Sequence, residues 1–151
     1  MKPIVQDCEI QAPLPVVFEV FTDLGRARER VRAIEALEVL TPGPFGEGTR
    51  FRETRKLFGQ SATETMEVRD FRPGQGYALT AESHGCRYLS TFEFTPSGAG
   101  TRVRITFTAE PLTTAAKLMG SMMSLMAGSV QKAFREDLED LKQACEAHAR
   151  A

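Results

Sequence analysis

The sequence predicts an α+β fold in which a curved antiparallel sheet of about seven strands wraps around a long C-terminal helix, with two short helices after the first strand. Three observations predict it. Apolar and polar residues alternate over residues 4–11, as in a half-buried strand. Between residues 49 and 110, short alternating segments are separated by Gly- and Pro-containing turns, as in consecutive hairpins. From residue 113 onward, apolar residues recur at every third or fourth position, as on one face of a helix.

The segment after the first strand predicts the two short helices. Pro15 suits the first turn of a helix, and Asp23 can cap a second helix that ends near Val31. One face of the first helix carries apolar residues: Val17, Phe18, Phe21 and Leu24. A second strand then begins at Leu37, and a Gly- and Pro-rich loop covers residues 41–48.

Five further strands are predicted as consecutive hairpins, at residues 49–58, 61–71, 77–84, 87–95 and 101–110. For the first hairpin we take Gly59-Gln60 as a two-residue turn, which fixes the register of the two strands. The inward pairs are then Leu57–Ala62, Arg55–Glu64, Glu53–Met66 and Phe51–Val68. One face is therefore apolar except for Glu53, Arg55 and Glu64, and the other face is polar, which makes the register chemically sensible on both sides.

The C-terminal segment, Thr113–His148, predicts one long helix capped by Thr113 or Thr114. Its apolar stripe comprises Leu118, Met122, Met126, Val130, Phe134, Leu138, Leu141 and Cys145. Between Lys117 and Lys132 there is no charged residue and Met is abundant, which suits a core, a ligand cavity, or a surface for a membrane or second copy. A straight helix of roughly 54 Å would exceed a domain of this size, so either its ends project or it bends, and we expect the break at Gly120 and Gly128.

Composition narrows the class of protein. The 151 residues suit a single domain, 1–151, and a net charge of −1 gives no electrostatic case for nucleic acid. The three cysteines are scattered and lack the spacing of metal ligands, so we expect reduced thiols and no metal or cofactor. The N-terminal residues lack the apolar core of a signal peptide, which favours a cytoplasmic protein.

Four short motifs, in this order and spacing, carry a family resemblance. They are Ala12-Pro13 with Val17-Phe18 and Thr22-Asp23; Gly46 to Phe51; Phe92 to Pro96 followed by Gly98 and Gly100 to Val103; and Asp137 to Lys142. With them the chain resembles the START-related SRPBCC superfamily, and more narrowly its polyketide cyclase/dehydrase and lipid-transport branch. The resemblance implies the helix-grip fold, a sheet that grips the long helix around an apolar cavity. It implies no fixed catalytic motif, because the superfamily contains binders and enzymes.

Strand alternation and the apolar stripe predict which side chains face this cavity. The candidate ligand-binding residues are Phe51, Glu53, Arg55, Glu64, Met66, Leu79, Tyr88, Ser90, Phe92, Met122 and Met126. Burial of a carboxylate is costly or shifts its pKa, and Arg55 opposite Glu64 would offset much of that cost. The candidate catalytic residues are therefore Glu53, Glu64 and Tyr88. His84 is excluded because its alternation points it outward.

These observations leave three hypotheses for the function. The first is binding of an apolar small molecule, such as a lipid or a polyketide-like, isoprenoid or aromatic compound, between the sheet and the C-terminal helix. The alternative is a cyclase or dehydratase that uses a cavity carboxylate or Tyr88. The second alternative is a module that docks on a membrane, a partner or a second copy of the chain through its Met-rich half-helix.

Overall fold

The computed structural model describes residues 2–151, with the side chains of residues 121–123 outside the description. The strands are β1 (Ile4–Ile10), β2 (Ile34–Val39), β3 (Arg50–Leu57), β4 (Gln60–Arg72), β5 (Gly76–Ser83), β6 (Cys86–Ser97) and β7 (Gly100–Pro111). The α-helices are α1 (Leu14–Thr22), α2 (Ala27–Arg30), α3 (Thr114–Leu118), α4 (Gly120–Leu125) and α5 (Ala127–Arg150), and a 3₁₀ turn covers Leu24–Arg26.

The strands form one seven-stranded sheet in the order β1-β7-β6-β5-β4-β3-β2, and every neighbouring pair is antiparallel. This confirms the predicted α+β class and its helix-grip arrangement. Strands β2 to β7 follow one another along the sheet because short turns connect most of them. Strand β1 pairs with β7, so the first and last strands of the chain lie side by side.

The first predicted hairpin register is wrong by two residues. The turn is Phe58-Gly59, with Leu57 opposite Gln60, because both turn residues adopt positive φ angles, 54° and 77°, as a type I′ turn requires. The observed inward pairs are Arg55–Ala62, Glu53–Glu64 and Phe51–Met66. A shift of two residues leaves every side chain on its predicted face, so the face assignment still holds.

Helix α5 lies along the outer edge of β1. The Gln131 side chain donates a hydrogen bond to the Val5 carbonyl at 3.0 Å, and Lys142 Nζ donates to the Glu9 carbonyl at 2.8 Å. These carbonyls point away from β7 and would otherwise lack a partner in the sheet. The helix therefore protects one of the two sheet edges, which limits pairing with other chains.

The predicted single C-terminal helix is divided into α3, α4 and α5. The breaks fall at Met119 and Met126, where ψ moves close to zero, at 8° and −4°, rather than at Gly120 and Gly128. Thr113 caps α3, since its hydroxyl accepts a hydrogen bond from the Ala116 amide. The broken helix fits a small domain that a straight helix of the same length would overrun.

The two halves of this segment differ in burial. Leu138 and Cys145 of α5 are fully buried, whereas Leu118 is 80% exposed and Leu125 is 85% exposed. Met126 is also exposed. The sequence could not separate these halves, because both carry apolar residues at helical spacing. The described part of the Met-rich half is therefore not core filler.

The hydrophobic core occupies only one half of the sheet's inner face. Its members from the sheet are fully or nearly buried: Phe51, Val68, Tyr77, Phe92, Phe94, Val103 and Ile105. Helix α1 packs on them through Val17, Val20 and Phe21, and α5 does so through Leu138 and Cys145. This closed half positions the remaining half of the sheet, where burial is incomplete.

Candidate ligand-binding surface

The inner face of the sheet is half-buried over the half that points toward α3 and α4. Its inward side chains, which we call the open surface, are Arg55, Ala62, Glu64, Met66, Leu79, Ala81, Tyr88, Ser90, Phe107 and Ala109. Leu79 lies opposite Ser90, and Ser90 lies opposite Phe107, so these strands present one continuous surface. Most of it is apolar, although solvent still reaches it. Such a surface suits an apolar ligand.

Aromatic side chains form one side of the open surface. The Tyr88 ring stacks on Phe107, with ring centroids 5.9 Å apart and planes at 14°. Phe107 in turn contacts Phe134 of α5 at a centroid distance of 5.5 Å. This stack connects the sheet to the helix and offers a flat, polarisable contact for a ligand.

A charged cluster lies at the opposite side of the open surface, where β3 meets α5. Arg55 Nε donates to Glu53 Oε2 at 2.9 Å, and Arg55 Nη1 lies 2.9 Å from Asp137 Oδ2. The Arg55 side chain is 21% exposed and that of Asp137 is 14% exposed, so the pair is largely removed from water. Burial opposes the charged guanidinium, but the carboxylates of Asp137 and Glu53 outweigh it and raise the pKa of Arg55.

Burial moves the pKa of Asp137 upward, whereas burial alone would move the pKa of Arg55 downward. Burial raises the pKa of Asp137 to about 6, although the Arg55 guanidinium lowers it in part. The nearby Glu53 and Asp140 carboxylates add to the increase. Asp137 therefore changes its charge in the weakly acidic range, at a contact that joins α5 to the sheet.

Glu64 lies directly across the strand pair from Glu53. None of the side chains that the structure describes forms a hydrogen bond or ion pair with its carboxylate. Glu64 and Tyr88 both face the open surface. Burial raises the pKa of Tyr88, and the Cys86 thiol and the Glu64 carboxylate raise it further. The Tyr88 hydroxyl thus stays protonated near neutral pH and can donate a hydrogen bond, while Glu64 can accept one.

A family model described as polyketide cyclase/dehydrase and lipid transport matches residues 1–146. The chain belongs to this family. No curated protein matches the chain. Family and fold together suggest a protein that binds a hydrophobic small molecule or acts as a polyketide cyclase-type enzyme.

Solved structures share the fold of this family member at low sequence identity. TTHA0849 from Thermus thermophilus is 24% identical, with a TM-score of 0.79 over 97% of this chain and 98% of that one. A START superfamily protein from Mycobacterium smegmatis is 17% identical, with a TM-score of 0.70 over 98% and 97% of the two chains. The di-domain ARO/CYC StfQ from the steffimycin biosynthetic pathway is 13% identical, with a TM-score of 0.81 over 99% of this chain and 52% of that one.

The candidate residues from the sequence do not all lie on the open surface in this family member. Six of them belong to the open surface: Arg55, Glu64, Met66, Leu79, Tyr88 and Ser90. Phe51 and Phe92 are buried in the closed half, and Glu53 is buried beside Arg55. Met126 is exposed, and the Met122 side chain lies outside the described residues.

Arg55 is paired differently from the sequence prediction. It bonds to Glu53 on its own strand and to Asp137, not to Glu64, because the hairpin turn is Phe58-Gly59 rather than Gly59-Gln60. Sequence reasoning missed Asp137. The sequence pattern that could have identified Asp137 is its position three residues after Phe134 and next to Leu138, which places a carboxylate on the apolar stripe that faces the sheet.

Two depressions lie mainly outside the open surface, although the lining of the first includes Met66 and Ala81. One, of about 530 Å³, is on the outer face of the sheet among charged side chains that include Arg50, Glu67 and Arg87. The other, of about 460 Å³, lies beside the irregular end of β4 near Phe71 and Tyr77. Neither lies between the sheet and α5, where the described residues form the half-buried open surface.

His84 lies in the turn between β5 and β6, exposed, with Nδ1 2.7 Å from the Ser83 hydroxyl. Within the described residues, no group of three or more His, Cys, Asp and Glu side chains is arranged to hold a metal ion. None of the described helices combines the length and apolar character needed to cross a membrane.

Proposed function

We propose that this protein binds a mostly apolar small molecule at the open surface, between the sheet and the N-terminal half of the C-terminal segment. The observation that carries the proposal is the incomplete burial of inward apolar side chains such as Met66, Leu79 and Phe107. The same face is fully packed in the closed half. Covering this apolar area would favour binding by about 25 cal/mol per Å².

Three polar side chains would orient the ligand. Arg55 Nη2 has no partner among the described side chains and can donate to a ligand oxygen. Glu64 can accept a hydrogen bond, and Tyr88 can donate or accept one. A few polar groups within an apolar surface are typical of small-molecule sites, because they fix orientation while the apolar area supplies most of the affinity.

Native mass spectrometry of freshly purified protein tests the proposal directly, because a copurified apolar molecule would appear as a mass increment. Binding of Nile red, an apolar dye, provides a second readout. Ser90→Trp fills the open surface and is expected to weaken dye binding. Glu93→Trp places the same ring on the exposed outer face of β6 and should leave dye binding unchanged. Equal dye binding by both variants and the wild type would contradict the proposal.

A cyclase or dehydratase activity is a second candidate function at the same surface. The placement of Tyr88, whose hydroxyl is protonated, and of the Glu64 carboxylate on the same surface favours it, because the two could act as general acid and general base. Conversion of a polyketide-like substrate that is lost in Glu64→Gln, with binding retained, would support this activity. Unchanged turnover in that variant would reject it.

A third candidate function is docking on a lipid surface through α3 and α4. Leu118 and Leu125 are almost fully exposed, and the charged residues in 111–135 are all cations, Lys117, Lys132 and Arg135. Exposed apolar residues bordered by cations suit a bilayer with anionic headgroups. Flotation with phosphatidylglycerol vesicles should recover the wild type but not Leu118→Glu/Leu125→Glu. No flotation of the wild type, or a dimer by light scattering that buries this segment, would remove this candidate.

A further inference from the structure

The charges of the open surface are unbalanced. Two carboxyl groups, those of Glu53 and Asp137, pair with one guanidinium, that of Arg55, and a third, that of Glu64, lies on the same face opposite Glu53. Glu53 and Glu64 occupy directly opposed positions on neighbouring strands, a placement in which like charges repel. The polar end of the open surface therefore carries a negative potential when these groups are ionised.

Arg55 does not provide a free positive charge. Two of its nitrogens already bond to the Glu53 and Asp137 carboxylates at 2.9 Å. An anionic ligand that approached Arg55 would also approach both of these carboxylates. A carboxylate ligand would have to lose its hydration while facing like charges, which disfavours its binding.

Glu64, in contrast to Arg55, has a carboxylate that is available to a ligand. Its carboxylate is half-buried, is directed to the open surface and has no hydrogen-bond donor or cation among the described side chains. A half-buried carboxylate is stabilised by any donor that reaches it, and charge-assisted hydrogen bonds are the stronger kind. Tyr88, on the same surface, can complete the contact by donating to the oxygen of the same ligand group.

We propose that the ligand of this surface is an uncharged apolar molecule with a hydroxyl group that donates a hydrogen bond to Glu64. We also propose that carboxylic acids of the same size are excluded. This inference rests on the proposed binding function and adds the chemical class of the ligand. The hydroxyl oxygen would accept a hydrogen bond from Tyr88 or from Arg55 Nη2.

Three probes of matched shape test it: 4-hexylphenol, 4-hexylbenzoate and hexylbenzene, measured by Nile red displacement at about pH 8, where the phenol is neutral and the benzoate is ionised. We expect the phenol to bind at least about tenfold more tightly than the benzoate. Glu64→Gln should bring the two affinities closer together. Glu93→Gln, on the exposed outer face of β6, should leave their ratio unchanged.

The outcomes separate the two proposals. Equal affinities for the phenol and the benzoate, or tighter binding of the benzoate, would overturn the inference about ligand class and leave the binding function standing. A phenol preference that persists in Glu64→Gln would overturn the role of Glu64. Failure of all three probes to displace the dye, hexylbenzene included, would contradict the proposed binding function itself.

Discussion

Replacing Arg55 should destabilise the protein more than any surface arginine does. Arg55→Met keeps the aliphatic stem but leaves the Glu53 and Asp137 carboxylates facing each other without a cation. Breaking a buried ion pair typically costs about 3–5 kcal/mol, and the 21% exposure of Arg55 places the expected loss near the lower end, about 3 kcal/mol. For a chain of this length that corresponds to a fall in Tm of about 6–12 °C.

Thermal and urea unfolding at about pH 8 would measure this loss, because Asp137, whose pKa is about 6, is ionised there in the wild type. Arg52→Met is the matched control. Arg52 lies on the opposite face of the same strand and pairs with Glu38 at 3.4 Å, with side chains 48% and 67% exposed. Its replacement should change stability by less than about 1 kcal/mol.

A second substitution sharpens the test. Adding Asp137→Asn to Arg55→Met removes one of the two carboxylates left without a cation, and should recover part of the lost stability. If Arg55→Met were as stable as the wild type at this pH, the Arg55 cluster would not be the buried, paired arrangement that we describe. A loss equal to that of Arg52→Met would lead to the same conclusion.

Three further predictions concern pH, packing and the first hairpin. Because burial raises the pKa of Asp137 to about 6, the folded state binds this proton more tightly than the unfolded chain. The contribution of Asp137 to the free energy of unfolding should therefore fall as the pH rises from about 4 to about 6, and Asp137→Asn should remove this contribution from the profile. Leu138→Ala in the closed half should cost about 2–5 kcal/mol in urea unfolding, while Leu118→Ala on the exposed segment should stay within about 0.5 kcal/mol. Similar losses for both would contradict the division into a packed and an exposed half. Phe58→Asn should raise the free energy of unfolding in urea by roughly 0.5–1 kcal/mol, since Asn tolerates the positive φ better and Phe58 is 49% exposed; a loss of stability would contradict this.

The fold could be predicted because its main signals are local. Period-two alternation assigned the inward face of each strand, and that assignment survived an error of two residues in the register of β3 and β4. The error itself arose at the turn, where Phe58 occupies a left-handed position that is uncommon for a bulky residue. Periodicity also located the C-terminal helices, but it could not distinguish the buried Leu138 from the exposed Leu118.

The candidate site was harder to predict from the sequence than the fold, because its central contact joins residues that are far apart along the chain. Arg55 and Asp137 are far apart along the chain, and only the placement of α5 over the sheet brings them together. Glu64 was predicted to face the interior, which the structure supports, but its lack of a partner depends on where Arg55 is held. Alternation specifies a face and cannot specify a partner.

The pairing of β1 with β7 and its contacts with α5 affect how the protein folds during synthesis. On the ribosome, β1 emerges first, yet its partner strand β7 lies about a hundred residues later and the helix that covers its free edge is later still. The sheet therefore cannot be completed until β7 and α5 have both been translated. Until then β1, in which apolar and polar residues alternate, lacks both its strand partner and its covering helix, so its edge is open to pairing with other chains.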